Sequence, residues 1–143
     1  MVATCYDWMY DALSDEQKKI MEEALYDKCL IEAKKWWYGI KGPKDKWQMA
    51  KANWNPVCNS GISIAALSML DVYPEEAGEI ISLCTRGLEY VSQRFAPDGS
   101  WFEGPAYWEF VFKFLARYLD AFEKVFGTTF AIDKMEGLDK AAT

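Results

Sequence analysis

Residues 53–70 have the sequence NWNPVCNSGISIAALSML, and this stretch decides the fold. It predicts a helix from Val57 to about Leu70 that carries no charged side chain before Asp71. A helix without charges and with many small residues is expected to be buried and tightly packed on several sides. Gly61 inside it costs roughly 1 kcal/mol relative to alanine, which indicates that a neighbouring element approaches closely there.

The segments around this central helix predict amphipathic helices with one buried face. Their boundary signals are a capping box of Ser14 with Gln17, a stop at Gly39, a start at Pro74, a start at Gly104-Pro105 and a stop at Gly127. No alternating strand pattern occurs. We therefore expect an all-α fold built from antiparallel helical hairpins. A charge-free inner helix beside amphipathic outer ones further predicts part of an (α/α) toroid.

The domain organisation follows from the same helices. Residues 1–143 are long enough for one domain with a core, and we expect a single helical domain. Because its first residues already have a helical pattern, the chain is expected to be a fragment of a larger toroid. Residues 128–143 show weak periodicity and are expected to be a loosely held tail.

Two polar motifs flank the apolar helical segments. They are NWNP at 53–56 and DGSWFEGPAYW at 98–108. One amphipathic helix separates the helices that they precede, so in an antiparallel arrangement both motifs fall at the same end of the molecule. Amides, a carboxylate, a phenol and the indoles of Trp54, Trp101 and Trp108 would then converge, and this composition is typical of a carbohydrate site.

Charge excludes some partners. The net charge is −6, which disfavours nucleic acid because phosphate binding depends on lysine and arginine. A cluster of lysines precedes the first motif, and it is consistent either with a local basic patch for an acidic sugar or with a solvated loop. Its members are Lys41, Lys44, Lys46 and Lys51.

Residues for metal and redox chemistry are scarce. The chain has no histidine, and its four cysteines form no C-x-x-C pair, so we expect no zinc site, redox motif or cofactor. Cys29 and Cys84 lie on apolar helical stripes, so buried free thiols are the default expectation, and a disulfide stays open. The N-terminus lacks a signal-peptide pattern, and no apolar run is long enough to span a membrane. We expect no membrane partner, and the compartment stays open.

Three stretches of the chain are similar to the motifs of one protein family. They are YDWMYDALSDEQ at 6–17, NWNPVCNSG followed by AAL within 53–67, and APDGSWFEGPAYW at 96–108. In this order they resemble the heparinase II/III-like family, which includes related alginate lyases, over about residues 4–126. The resemblance implies an (α/α) toroid, usually followed by a β-sandwich, and eliminative cleavage of uronic-acid polysaccharides. An acidic polysaccharide or oligosaccharide is therefore the expected partner.

Elimination at a uronate needs a group that neutralises the carboxylate, a base for the C5 proton and an acid for the departing oxygen. A neutral amide suits the first role, and a tyrosine can serve as acid or, with a lowered pKa, as base. The resemblance places Asn53 in the neutralising role and Tyr107 in that of the catalytic tyrosine. Further substrate-binding candidates are Asn55, Asn59, Glu103, Trp54, Trp101 and Trp108.

Each candidate also has a purely structural interpretation. Asn55 before Pro56 fits a helix N-cap, Asn59 fits a bond to backbone, Glu103 fits a charge at a helix start, and the tryptophans fit a core.

Two other functions compete with the lyase. One is a glycoside hydrolase with Asp98 or Glu103 as its acid, and the other is a non-catalytic helical module that binds sugar or packs against a partner. Many relatives use a histidine that this chain lacks, so we expect little or no lyase activity from the chain alone. A partial toroid also exposes apolar helix faces, which predicts self-association.

Overall fold

The structure is a computed structural model that describes residues 1–43 and 46–141, and over these residues it is helical, with no strand. Its α-helices are α1 (Val2–Trp8), α2 (Asp15–Leu25), α3 (Ile31–Trp37), α4 (Trp54–Leu67), α5 (Pro74–Glu89) and α6 (Pro105–Phe126). Short 3-10 turns lie at Tyr10–Ala12, Ser92–Arg94, Ile132–Lys134 and Leu138–Lys140. The predicted all-α class is thus confirmed. Within the described part of the chain, no helix has the length and apolar character needed to cross a bilayer.

The first long helix begins as predicted but is not regular throughout. The Ser14 hydroxyl accepts a hydrogen bond from the Gln17 N–H at 3.3 Å, and the Gln17 side chain accepts one from the Ser14 N–H at 2.9 Å. A π-helical turn, Tyr26–Leu30, then joins α2 directly to α3. Gly39 follows the end of α3 with a φ of +76°, the left-handed conformation expected at a helix stop.

The central helix of the molecule is α4, which contacts α1, the π-helical turn, α5 and α6. Its buried small residues, Ser60, Ser63, Ala65 and Ala66, confirm the expected burial of this charge-free segment. The close approach at Gly61 comes from Phe114 of α6. A Cβ on Gly61 would lie 3.9 Å from that ring, which is an ordinary contact distance, so this packing does not require glycine.

Helices α5 and α6 bury most of the faces that their periodicity predicts. In α5 the buried apolar side chains are Ala77, Ile80, Ile81, Cys84 and Leu88. In α6 they are Val111, Leu115, Tyr118 and Phe122. Trp108 and Leu119, predicted on the same side of α6, are half-buried, and Phe126 is exposed. Gly127 ends α6 in the left-handed conformation, as predicted.

The segment after α6 contributes to the core. Ile132, Met135 and Leu138 are buried, so this part of the predicted tail supplies three side chains to the core. Gly137 permits this packing because a Cβ there would lie 2.1 Å from the backbone oxygen of Phe95. The last residues of the predicted tail, 142 and 143, lie outside the described residues.

Candidate functional site

Glu103 joins the two polar motifs. Its Oε2 accepts hydrogen bonds from the backbone N–H of Asn53 at 2.7 Å and from Nε1–H of Trp101 at 2.9 Å. Its Oε1 accepts a bond from Nδ2–H of Asn53 at 2.8 Å. Asn53 is the residue that precedes α4, so the carboxylate also lies at the positive end of that helix. The structure therefore fixes the start of α4 to the turn that precedes α6.

Tyr107 lies four residues after Glu103, in the first turn of α6. Its side chain is 48% exposed. Within the described residues its hydroxyl has no hydrogen-bond partner. The Tyr107 side chain is therefore exposed at the start of α6, the helix that follows Glu103. Its catalytic role stays a prediction.

The three candidate tryptophans have different environments. Trp54, the first residue of α4, is 63% exposed, whereas Trp101 is 4% exposed and belongs to the core. Trp108 is half-buried, donates its indole N–H to the backbone oxygen of Gly99 at 2.8 Å, and stacks on Phe112. Trp54 is therefore the tryptophan that is best placed to contact a sugar.

Phe102 is an exposed ring that the sequence analysis did not single out. It is 60% exposed, and the Arg94 guanidinium lies 5.2 Å from its ring centre. It follows the buried Trp101 and precedes Glu103, so it lies next to the residue that joins the two motifs. The available signal was two consecutive aromatic residues in a short turn, since adjacent side chains in such a turn rarely share one buried face.

Asn55 and Asn59 lie in the interior. Nδ2–H of Asn55 donates to the backbone oxygens of Gly87 at 2.8 Å and Gln48 at 3.1 Å. Nδ2–H of Asn59 donates to the backbone oxygen of Gln48 and to Oδ1 of Asn55, both at 3.1 Å. Both side chains are fully buried, so neither offers surface to a ligand in this structure. They attach the long loop before α4 to α4 and α5.

The N-cap expected at Asn55 is wrong, because α4 begins at Trp54 and Asn55 is its second residue. The physical reason is the cluster just described. The Asn55 side chain donates to the backbone oxygens of Gln48 and Gly87. It therefore binds neighbouring segments and does not cap the start of α4.

Gln48 was not predicted as a structural residue, yet it is fully buried. Its Nε2–H donates to the backbone oxygen of Trp36 at 2.8 Å, and its Oε1 accepts from the Trp47 N–H at 3.1 Å. Its position within a long polar loop gave no periodic signal. Gln48 explains how that loop is held against the helices.

The lysines before the first motif do not form one free patch. Lys41 pairs with Glu32, and Lys35 and Lys41 together hold the pKa of that carboxyl below its usual value. Lys46 lies over the Trp36 ring at 5.3 Å, while Lys51 is exposed. Lys44, the remaining member of the predicted cluster, lies outside the described residues.

The cysteines are free thiols. Burial raises the pKa of Cys58 to about 11 and that of Cys84 to about 12, which disfavours the thiolate that nucleophilic chemistry needs. Cys84 is buried, Cys29 is half-buried and Cys5 is exposed. In the part of the chain that the structure describes, no three carboxylate or thiol side chains are grouped so that they could hold a metal ion.

The structure thus brings Asn53, Trp101 and Glu103 into direct contact and places Trp54 and Tyr107 on the helices that begin beside them. Comparison of the chain with models of protein families and with curated proteins gave no match in either case.

Proposed function

We propose that this end of the molecule binds a uronic-acid-containing glycan and that the chain serves a polysaccharide lyase, which cleaves such glycans by β-elimination. The observation that carries the proposal is the contact between Glu103 and Asn53, with the exposed Tyr107 four residues after Glu103 in the first turn of α6. The motifs that resemble heparinase II/III-like enzymes supply the reaction class.

The proposed fold is a set of antiparallel helical pairs from an (α/α) toroid. Two observations support it. The start of α4 contacts the end of α5 through Asn55 and Gly87, while a short turn joins the end of α4 to the start of α5. The contact between Asn53 and Glu103 further places the starts of α4 and α6 side by side.

The Asn53 side chain is mostly buried, with 9% of the residue's surface exposed, and its amide is the group that we assign to the uronate carboxylate. Glu103 engages one N–H of the side-chain amide, and an amide has a second N–H to donate. A hydrogen bond to the uronate carboxylate stabilises the negative charge that develops when the C5 proton leaves. Glu103 would repel that carboxylate, but the N–H groups of Asn53 and Trp101 that point at it offset part of its charge.

Tyr107 would act as both the base and the acid of the elimination. As a phenolate it would take the C5 proton, and as a phenol it would protonate the departing glycosidic oxygen. The exposed rings of Trp54 and Phe102 provide apolar faces of the kind on which sugar rings pack. Each group therefore has a distinct role in one reaction.

The glycoside hydrolase alternative has less support. Hydrogen bonds from Ser100 hold the pKa of Asp98 below its usual value, and its Oδ1 accepts the Ser100 N–H at 3.0 Å. An ionised Asp98 has no proton to donate at neutral pH. The Glu103 carboxylate is engaged with Asn53 and Trp101, so neither candidate acid is free for general-acid catalysis.

The proposal is tested first by binding, because the sequence predicts little or no turnover by this chain alone. Oligosaccharides of alginate, hyaluronan and heparan sulfate are titrated into the protein by calorimetry. We expect saturable binding of at least one of them, and Trp54→Ala should weaken it by about two- to tenfold, the value of one aromatic contact. Absence of binding, or equal binding by Trp54→Ala, would contradict the proposed site.

Turnover is then followed by the absorbance of the conjugated double bond in the unsaturated uronate product. Where any product forms, Tyr107→Phe should lower its rate by about 100-fold or more. Tyr10→Phe is the matched control, since Tyr10 is comparably exposed and belongs to the N-terminal region. New reducing ends without the double bond would indicate a hydrolase.

A further inference from the structure

A cavity lies where the start of α1, the π-helical turn, α4 and α6 meet. Its volume is about 640 Å³, which is within the range of roughly 300–1,000 Å³ typical of small-molecule sites. None of the candidate glycan-binding residues lines it. Its walls are mainly apolar, with Val57 and Ile62 on α4 and Phe114 on α6, and Gly61 leaves room between these side chains.

The charges at this cavity are all positive. Lys28 and Arg117 line it, whereas no aspartate or glutamate of the described residues does so. Neither cation has a carboxylate partner in the described part of the chain, although the protein carries a net charge of −6. The Arg117 guanidinium lies 5.9 Å from the centre of the Phe114 ring, so one cation lies directly beside the apolar wall.

Two thiols complete the wall without adding charge. Cys29 and Cys58 line the cavity, and burial raises the pKa of both. They are therefore neutral at physiological pH and behave as small apolar groups. The cavity combines an apolar body with cations that lack a counter-ion.

We propose that this cavity binds an anionic amphiphile, with an aliphatic chain against the α4 and α6 wall and a carboxylate at Lys28 and Arg117. A hydrophilic glycan would leave the apolar walls without a partner. Lys28 and Arg117 are exposed at the edge of the cavity, where a carboxylate adds ion pairs that an uncharged hydrocarbon cannot make. An aliphatic carboxylate suits both the apolar walls and these cations. The site is separate from the proposed glycan site and does not depend on it.

Calorimetry with decanoate tests the proposal, at concentrations below those at which decanoate forms micelles. Decyltrimethylammonium, which has the same chain with a positive head group, should bind at least tenfold more weakly. Lys28→Gln and Arg117→Gln should each weaken decanoate binding by about two- to fivefold, the value of a partly exposed ion pair. Lys113→Gln is the matched control, since Lys113 is exposed on α6 and does not line the cavity.

Thiol labelling locates the bound molecule in the unaltered protein and so does not depend on any variant folding. At mildly alkaline pH, decanoate should slow the reaction of iodoacetamide with Cys29 and Cys58 by fivefold or more. Cys5 is exposed and lies outside the cavity, so its labelling should not change.

Three results would overturn the proposal. Equal binding of the anionic and cationic amphiphiles would show non-specific hydrophobic association. Binding without protection of Cys29 and Cys58 would place the molecule elsewhere. Sedimentation that shows self-association, with both thiols protected in the absence of decanoate, would show that a second copy of the chain covers the cavity.

Discussion

Replacing Glu103 by alanine tests whether this carboxylate holds the candidate site together. The substitution removes the acceptor of three N–H groups, the backbone and side-chain N–H of Asn53 and the indole N–H of Trp101. Trp101 is buried, and a buried donor without a partner costs about 1–3 kcal/mol. Water can reach the half-buried position of Glu103 and accept hydrogen bonds from some of the N–H groups that lose their acceptor. We therefore expect a loss of about 2–4 kcal/mol in the free energy of unfolding.

Urea denaturation followed by tryptophan fluorescence measures this loss. With a slope of about 2 kcal/mol per molar urea, in the middle of the usual range, the midpoint should fall by about 1–2 M. Glu109→Ala is the matched control because Glu109 is an exposed glutamate of α6 with no hydrogen bond in the described structure. Its free energy of unfolding should change by less than about 0.5 kcal/mol.

Glu103→Gln refines the same test. A glutamine keeps one acceptor oxygen but turns an NH₂ group towards the other donors. The free energy of unfolding of Glu103→Gln should therefore lie between that of the wild type and that of Glu103→Ala. If Glu103→Ala were as stable as Glu109→Ala, the carboxylate would not fix α4 to the turn before α6. The geometric basis of the proposed function would then fail.

Two further predictions concern the interior. Gly87→Ala should destabilise the protein by about 1–3 kcal/mol, because its Cβ would lie 2.7 Å from Nδ2 of Asn59. Gly78→Ala, in the same helix with nothing within 4 Å, should stabilise it by about 0.5–1 kcal/mol, and equal effects in urea denaturation would contradict the described packing. Burial raises the pKa of Tyr118 to about 12 from 10.0, so its contribution is complete below pH 10 and is lost as the pH rises towards 12. Tyr118→Phe should therefore unfold with a weaker pH dependence over that interval in thermal scans, and an unchanged dependence would show that another group titrates.

Local signals predicted the helices well. The capping box at Ser14, the start at Pro74 and the stop at Gly127 all lie where the sequence placed them. The buried face of α5 also matches its periodicity. These features depend on residues a few positions apart, so they can be predicted from a single sequence.

Contacts between distant residues were less predictable. Asn53 and Glu103 are 50 residues apart, and the motifs suggested only that they share one end of the molecule. The hydrogen bonds that bury Gln48 and Asn55 depend on where the loop folds back, for which no local pattern exists. Consequently the sequence analysis named Asn55 as a substrate-binding candidate, with a helix cap as its structural alternative, and did not consider Gln48.

The segment after α6 follows a different repeat from the helices before it. Ile132, Met135 and Leu138 are spaced by three residues, which is the repeat of a 3-10 helix and not that of an α-helix. Two short 3-10 turns in this segment place the three side chains in the core. A search for the 3.6-residue period finds little there.

The π-helical turn Tyr26–Leu30 has a consequence for how the first long helix meets its neighbours. A π-helical turn holds about one more residue than an α-helical turn, and each residue of an α-helix advances the side chains by about 100°. The turn therefore shifts the phase of every side chain beyond it without a break in the backbone. Before the shift the helix packs on α1, and after it on α5. One extra residue thus lets one continuous helix pack on two different neighbours along its length.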